Sequence, residues 1–165
     1  MRKMVILGID PGTHRMGYGI VKKENGRLIF VDAGLIKIKS DKGSGALLDI
    51  KNGLENIIKK FKPEVAAVEK VYFSKNVKTA ISVSGARGAA ILTALDMGLK
   101  IQEYSPNEVK KGVAGHGFAD KKSVFKMIKL ILNEPDLNLI DDASDALALA
   151  IMCAGSIRDY SLKRS

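Results

Sequence analysis

GIDPGTHRMGYGIV, from Gly8 to Val21, sets an aspartate at the end of one apolar run and separates it from the next by a turn that begins with proline and glycine. The residues before it, MVIL from Met4 to Leu7, are β-rich and continuous enough for a strand buried on both faces, where a lone charge is not tolerated. Asp10 therefore requires a charged partner, a metal ion or an edge position. On either side of this stretch the pattern is regular. Residues 4–10, 16–23 and 27–39 read as three strands, the last two joined by a hairpin turn at Glu24-Asn25-Gly26. Leu47, Ile50, Leu54, Ile57 and Ile58 carry helical spacing through residues 46–61, and Pro63 follows the helix end. Residues 64–69 are a fourth strand, 76–97 a long helix rich in small side chains, and 99–104 a fifth strand. Ser105-Pro106-Asn107-Glu108 has the form of a capping box with proline at the first helical position. Asp120 is placed to cap a helix over 121–132, and 141–158 is the last helix. This order predicts an α/β domain, a mixed five-stranded sheet with helices on both faces.

At 165 residues the chain suits one domain, and 46% apolar residues supply its core. With 27 Lys and Arg against 18 Asp and Glu, the formal charge is +9, which favours a polyanionic partner over a merely lysine-rich soluble surface. One cysteine excludes an internal disulfide framework and a cysteine-based zinc site, and fits a reducing cytoplasm. That residue, Cys153 in ALALAIMCA, reads as a buried structural thiol. No apolar segment reaches the roughly 18 residues of a membrane span, and the first strand begins without a signal-peptide pattern. The expectation is a cytoplasmic protein with no membrane partner.

The remaining informative residues are acids. Glu69 ends the fourth strand as Asp10 ends the first, and ligands of open α/β sheets gather beyond the carboxyl ends of strands. Asp142 and Asp145, in IDDASDALALA, are spaced i,i+3 and share one side of the last helix. Each acid has a plainer use: Asp142 and Asp145 as favourable charges at a helix start, Glu69 as a partner of Lys70 or Lys75, Asp10 as a turn former. Together, on a basic protein, they form a cluster that repels itself unless hard divalent cations compensate, which points to Mg²⁺ with Mn²⁺ as its substitute.

The stretches GIDPGTHRMGYG, VEKVYFSKN, SGARGAA, YSPNEVKKGVAGHGFADK and DDASDALALA, in this order along nearly the whole chain, resemble the RuvC-type Holliday junction resolvases. The resemblance implies an RNase H-like fold, a single nuclease domain over 1–158 and a short basic tail at 159–165. It carries the family's metal-binding carboxylates onto Asp10, Glu69, Asp142 and Asp145, the acids already selected. Asp141 stands beside Asp142 and is also on the side of Asp145, but the D-A-x-D-A register favours Asp142. Tyr72 matches the family's base-stacking aromatic, with Phe73 beside it. Lys110 and Lys121 match two lysines near the scissile phosphate, where they act as point charges. Lys111 and Lys122 are neighbouring candidates for DNA contact, as are Lys75 and Asn76. Arg87, in GARG, is either a phosphate contact or a structural ion pair.

By the same resemblance the activity is a structure-specific endodeoxyribonuclease with two metal ions per site, which leaves 5′-phosphate and 3′-hydroxyl ends during recombination and repair. Two symmetric cuts across a four-way junction favour a homodimer, and a branch-migration helicase complex is the implied partner. A YqgF-like RNA nuclease is one alternative. An ATPase fragment of the actin-like or sugar-kinase type is another, though no second phosphate loop accompanies Asp10-Pro11-Gly12-Thr13.

Overall fold

The computed structural model describes residues 3–12, 14–39, 43–70 and 77–157. Strands β1 (Lys3–Asp10), β2 (Arg15–Glu24) and β3 (Arg27–Lys37) form an antiparallel meander. Asn25 and Gly26 close the second hairpin with φ of 53° and 75°, the left-handed pair that an Asn-Gly turn adopts with little strain. Helix α1 (Ser44–Phe61) then leads to β4 (Val65–Glu69), and α2 (Val77–Asp96) to β5 (Lys100–Tyr104). Both later strands run parallel to β1, giving the sheet order β3-β2-β1-β4-β5. Three helices complete the described residues: α3 (Pro106–Ala114), α4 (Lys121–Leu132) and α5 (Asp141–Ser156).

The period-two alternation of the strands divides the core into two layers. Leu7, Ile9, Met16, Ile20, Ala66 and Val68 pack towards α1 and α2, where Ile50, Leu54, Ala86 and Ala90 meet them. Met4, Ile6, Val21, Val65 and Ala67 face the other way, onto Leu147, Ala148 and Ile151 of α5, with Val113 of α3 and Ile128 of α4 behind. The expected mixed sheet with helices on both faces is thus the one observed. No helix among the described residues is long and apolar enough to cross a membrane.

Helix α5 lies unusually close to the sheet, because glycine occupies the positions it crosses. A Cβ added at Gly8 would stand 1.8 Å from the Ala146 carbonyl oxygen, and one at Gly17 2.0 Å from that of Asp142. At Gly19 it would meet Leu147 Cα at 2.6 Å. The far end of α5 is held by Lys23, whose Nζ donates to the carbonyls of Ala154 and Ile157 at 3.1 and 2.9 Å. A cation there satisfies terminal carbonyls and complements the helix dipole.

Several boundaries differ from the sequence expectation by one or two residues. Strand β3 stops at Lys37, since the Lys39 N–H turns away to the Asp49 carboxylate at 2.8 Å. Its ladder with β2 also slips: Ile20 pairs with Asp32 but Val21 with Phe30, so Val31 bulges out and is exposed. Arg158, at the expected end of α5, lies outside the described residues, as does the tail at 159–165.

Candidate active site

Asp10 and Glu69 leave the sheet together. Strands β1 and β4 are neighbours, and their register pairs Ile9 with Val68, the residues immediately before the two acids. Both carboxylates therefore stand at one level, on the face that Gly8 opens to α5. The first turns of α5 bring Asp142 and Asp145 over this edge, since α5 rests on Gly17 through the Asp142 carbonyl.

Two capped helices supply the cations. Ser105 Oγ accepts from the Glu108 N–H at 3.2 Å while its own N–H donates to the Glu108 carboxylate at 2.6 Å, so α3 starts directly after β5. One turn later comes Lys110. The Asp120 carboxylate accepts from the Ser123 N–H at 2.8 Å and sets Lys121 at the first position of α4. Lys121 Nζ lies 3.3 Å from Asp145 Oδ2 and 3.9 Å from Asp141 Oδ2. Asp10, Glu69, Lys110, Lys121, Asp141 and Asp145 line a cavity of about 240 Å³ whose apolar wall includes Val109, Val124 and Leu149.

Acids that share this partly buried space oppose one another's ionisation. Burial, followed by repulsion from Asp145, Glu69 and Asp142, raises the Asp10 pKa from 3.8 to about 8, against the opposing pull of Lys121. Burial and then Asp145 raise Glu69, with Lys121 and Lys110 opposing. Asp145 is likewise raised by burial, although Lys121 beside it pulls the other way. Lys121 is raised in return, chiefly by Asp145.

The donor set fits a hard divalent cation: carboxylate oxygens only, mutually repelling, and short of compensating charge. Among the described residues no three acids stand together at ligating distance. Arg15 Nε donates to Asp142 Oδ2, and Lys121 takes up Asp145, so two of the four carboxylates are engaged by cations of the protein itself.

Other sequence candidates are placed unequally. Tyr72, Phe73, Lys75 and Asn76 lie outside the described residues. Lys111 and Lys122 are exposed beside Lys110 and Lys121. Arg87 is engaged within the protein: its Nε donates to the Glu69 carbonyl at 3.0 Å and its guanidinium pairs with Glu103 at 2.6 Å. This is the ion-pair geometry of its two readings, and it steadies the end of β4 where Glu69 projects. Asp141 and Asp142 also separate. The Asp141 side chain is 78% exposed and pairs loosely with Lys121, whereas Asp142 is 31% exposed and acts on Asp10. Sequence reasoning missed Arg15. The signal available was the hairpin itself, because Gly17 pairs with Asp10 and so places Arg15 just past the end of β1.

Comparison with known proteins gives one consistent family. The family model described as Crossover junction endodeoxyribonuclease RuvC matches residues 6–153. A Crossover junction endodeoxyribonuclease RuvC of Citrifermentans bemidjiense is 48% identical over 154 residues, covering 93% of each chain. The solved structure of Thermus thermophilus RuvC superposes with a TM-score of 0.84 at 30% identity, over 92% of this chain and 94% of that one. The same T. thermophilus protein in complex with a Holliday junction substrate gives a TM-score of 0.83 at 30% identity, covering 90% and 92%.

Proposed function

Because the chain belongs to the RuvC family of crossover junction endodeoxyribonucleases, we propose that Asp10, Glu69, Asp142 and Asp145 are the metal-binding carboxylates with which it cuts DNA. It is a metal-dependent endonuclease that hydrolyses phosphodiester bonds and resolves Holliday junctions, and its nucleic-acid partner is the four-way junction. The nuclease domain is residues 1–158, followed by a basic tail at 159–165. The observation that carries the assignment of the site is the emergence of Asp10 and Glu69 at one level from neighbouring parallel strands, beneath the acidic start of α5.

Asp10, Glu69, Asp142 and Asp145 would hold Mg²⁺, replaceable by Mn²⁺ and taken as two ions per site, which would supply Lewis acidity to the phosphate and to the attacking water. The four carboxylates hold these charges and need no covalent nucleophile. Attack at phosphorus breaks the bond to the 3′ oxygen, which leaves with a proton, so the products carry 3′-hydroxyl and 5′-phosphate ends. Lys110 and Lys121 place positive charge beside the phosphate as its negative charge builds. Lys121 also favours the ionised form of Asp145, its ammonium opposing the burial that raises that carboxyl. Tyr72, with Phe73, stacks on bases at the crossover, and Lys75, Asn76, Lys111 and Lys122 contact the DNA around it.

One site cuts one strand, so paired cutting calls for a second copy of the chain. The exposed face of α2 supports a homodimer. Ile81, Leu92 and Leu95 are solvent-facing, Gly85 and Gly88 lie between them, and Leu47 and Leu48 of α1 extend the apolar surface. The protein acts in the cytoplasm beside a branch-migration helicase complex. The test is cleavage with Mg²⁺ of a synthetic four-way junction, set against a linear duplex and against ATP hydrolysis. Asp10→Asn, Glu69→Gln, Asp142→Asn and Asp145→Asn should each lose cleavage and keep junction binding, which rests on phosphate contacts elsewhere. Full activity in any of the four removes that residue from the site, and equal cutting of linear duplex overturns the reading.

A further inference from the structure

Phe118 is 98% exposed, more than any other large hydrophobic side chain among the described residues. It sits in the short connection between α3 and α4, and that connection is anchored on both sides of it. Gly115 begins it with φ 86° and an N–H bond to the Lys111 carbonyl at 3.0 Å. Ala119, next to Phe118, is only 4% exposed, and Asp120 caps α4. The ring is thus held out into solvent by a fixed backbone. Three residues on is Lys121, whose ammonium touches the carboxylate cluster, and three Cα steps span at most roughly 11 Å.

The surroundings of the ring identify what it meets. Its sequence neighbours are His116, Gly117 and Asp120, and the lysines at 110, 111, 121 and 122 flank the loop. A Cβ at Gly117 would lie 3.4 Å from the Lys111 side chain, so that basic stem runs alongside the loop. Among the described residues, no other exposed large hydrophobic side chain lies in α3 or in the loop at 115–120. One aromatic face framed by lysines matches a nucleobase framed by phosphates, because every base presents a stacking face while the backbone around it is anionic.

We infer that Phe118 is a base-stacking residue, which engages an unpaired or opened base of the bound junction beside the catalytic cavity. This inference rests on the junction-resolving function and adds a DNA contact separate from the Tyr72 stretch. The fixed loop makes the contact inexpensive in ordering, since only the rotamers of one two-torsion side chain are restricted.

The test uses the full chain carrying Asp10→Asn, so that binding is read without cleavage. Affinity for a four-way junction with 2-aminopurine at successive positions around the crossover is compared for Phe118, Phe118→Ala, Phe118→Leu and Phe118→Tyr. The inference expects Phe118→Ala and Phe118→Leu to bind on the order of tenfold more weakly and to lose fluorescence quenching at one position, while Phe118→Tyr retains both. The salt dependence should stay unchanged, because no phosphate contact is removed. Unchanged affinity and quenching in Phe118→Ala, or full retention by Phe118→Leu, overturns stacking while leaving the function intact. A parent protein that does not prefer the junction to linear duplex overturns the function and the inference together.

Discussion

Replacing Asp10 by asparagine should stabilise the metal-free protein while destroying its activity. Asp10 ionises near pH 3.8 in the open chain and near pH 8 in the fold, because burial and then the carboxylates of Asp145, Glu69 and Asp142 oppose its charge. Between those limits the folded state keeps a proton that the unfolded state has released, so stability is full at low pH and is withdrawn as pH rises. The withdrawal approaches about 1.4 kcal/mol for each pH unit, on the order of 3 kcal/mol between about pH 5 and about pH 7. The substituted amide cannot ionise and has nearly the same volume, so the variant should lose this share of the slope. Urea unfolding in EDTA at several pH values measures it directly. Wild type should fall steeply with rising pH, the Asp10→Asn protein should fall less, and the gap between them should widen towards pH 8. Added Mg²⁺ should then raise the wild-type midpoint by mass action and leave the variant nearly unmoved. Parallel stability curves for the two proteins, without any widening, would refute the electrostatic account of the cavity.

The other expectations concern the supports of the site. Gly19→Ala inserts a methyl group against Leu147 Cα and should lower stability by about 1–3 kcal/mol, visible as a thermal midpoint reduced by several degrees. Arg15→Gln releases Asp142 from a solvent-accessible ion pair; the Mg²⁺ concentration for half-maximal cleavage should fall by about two- to fivefold, as a pair of that kind warrants. Ser105→Ala removes the cap of α3 and should cost about 1 kcal/mol in urea unfolding, with slower cleavage because Lys110 is one turn away. Asp141→Asn should cleave at nearly the wild-type rate, and a strong loss would move the metal ligand from Asp142 to its neighbour.

What could be read from sequence is what local chemistry decides. Asn25-Gly26 makes its own turn, Ser105 and Glu108 make their own capping box, and Asp120 caps the helix that follows it. Asp10 and Glu69 betrayed themselves as charges at the ends of apolar runs, though only the strand order makes them neighbours. Contacts between distant segments left no such trace. Arg15 and Asp142 are 127 residues apart, and nothing in the composition near either announces the other. The same holds for Lys23 at the end of α5 and for Arg87 beneath Glu69. Glycine is hard to read for a different reason: Gly8, Gly17 and Gly19 matter through atoms they do not have.

Those three glycines also determine which dimension of the molecule can drift. Where side chains separate two elements, each change of a core residue resets their spacing by a fraction of an ångström. Here α5 bears on β1 and β2 main chain to main chain, and the hard radii of backbone atoms act as a gauge block between the Asp145 helix and the Asp10 strand. Apolar substitutions at Leu147, Ile6 or Ile128 should therefore change the gap across the carboxylates little. The spacing between the Asp10 strand and the Asp145 helix is thus set by peptide backbone and not by the side chains of the surrounding core.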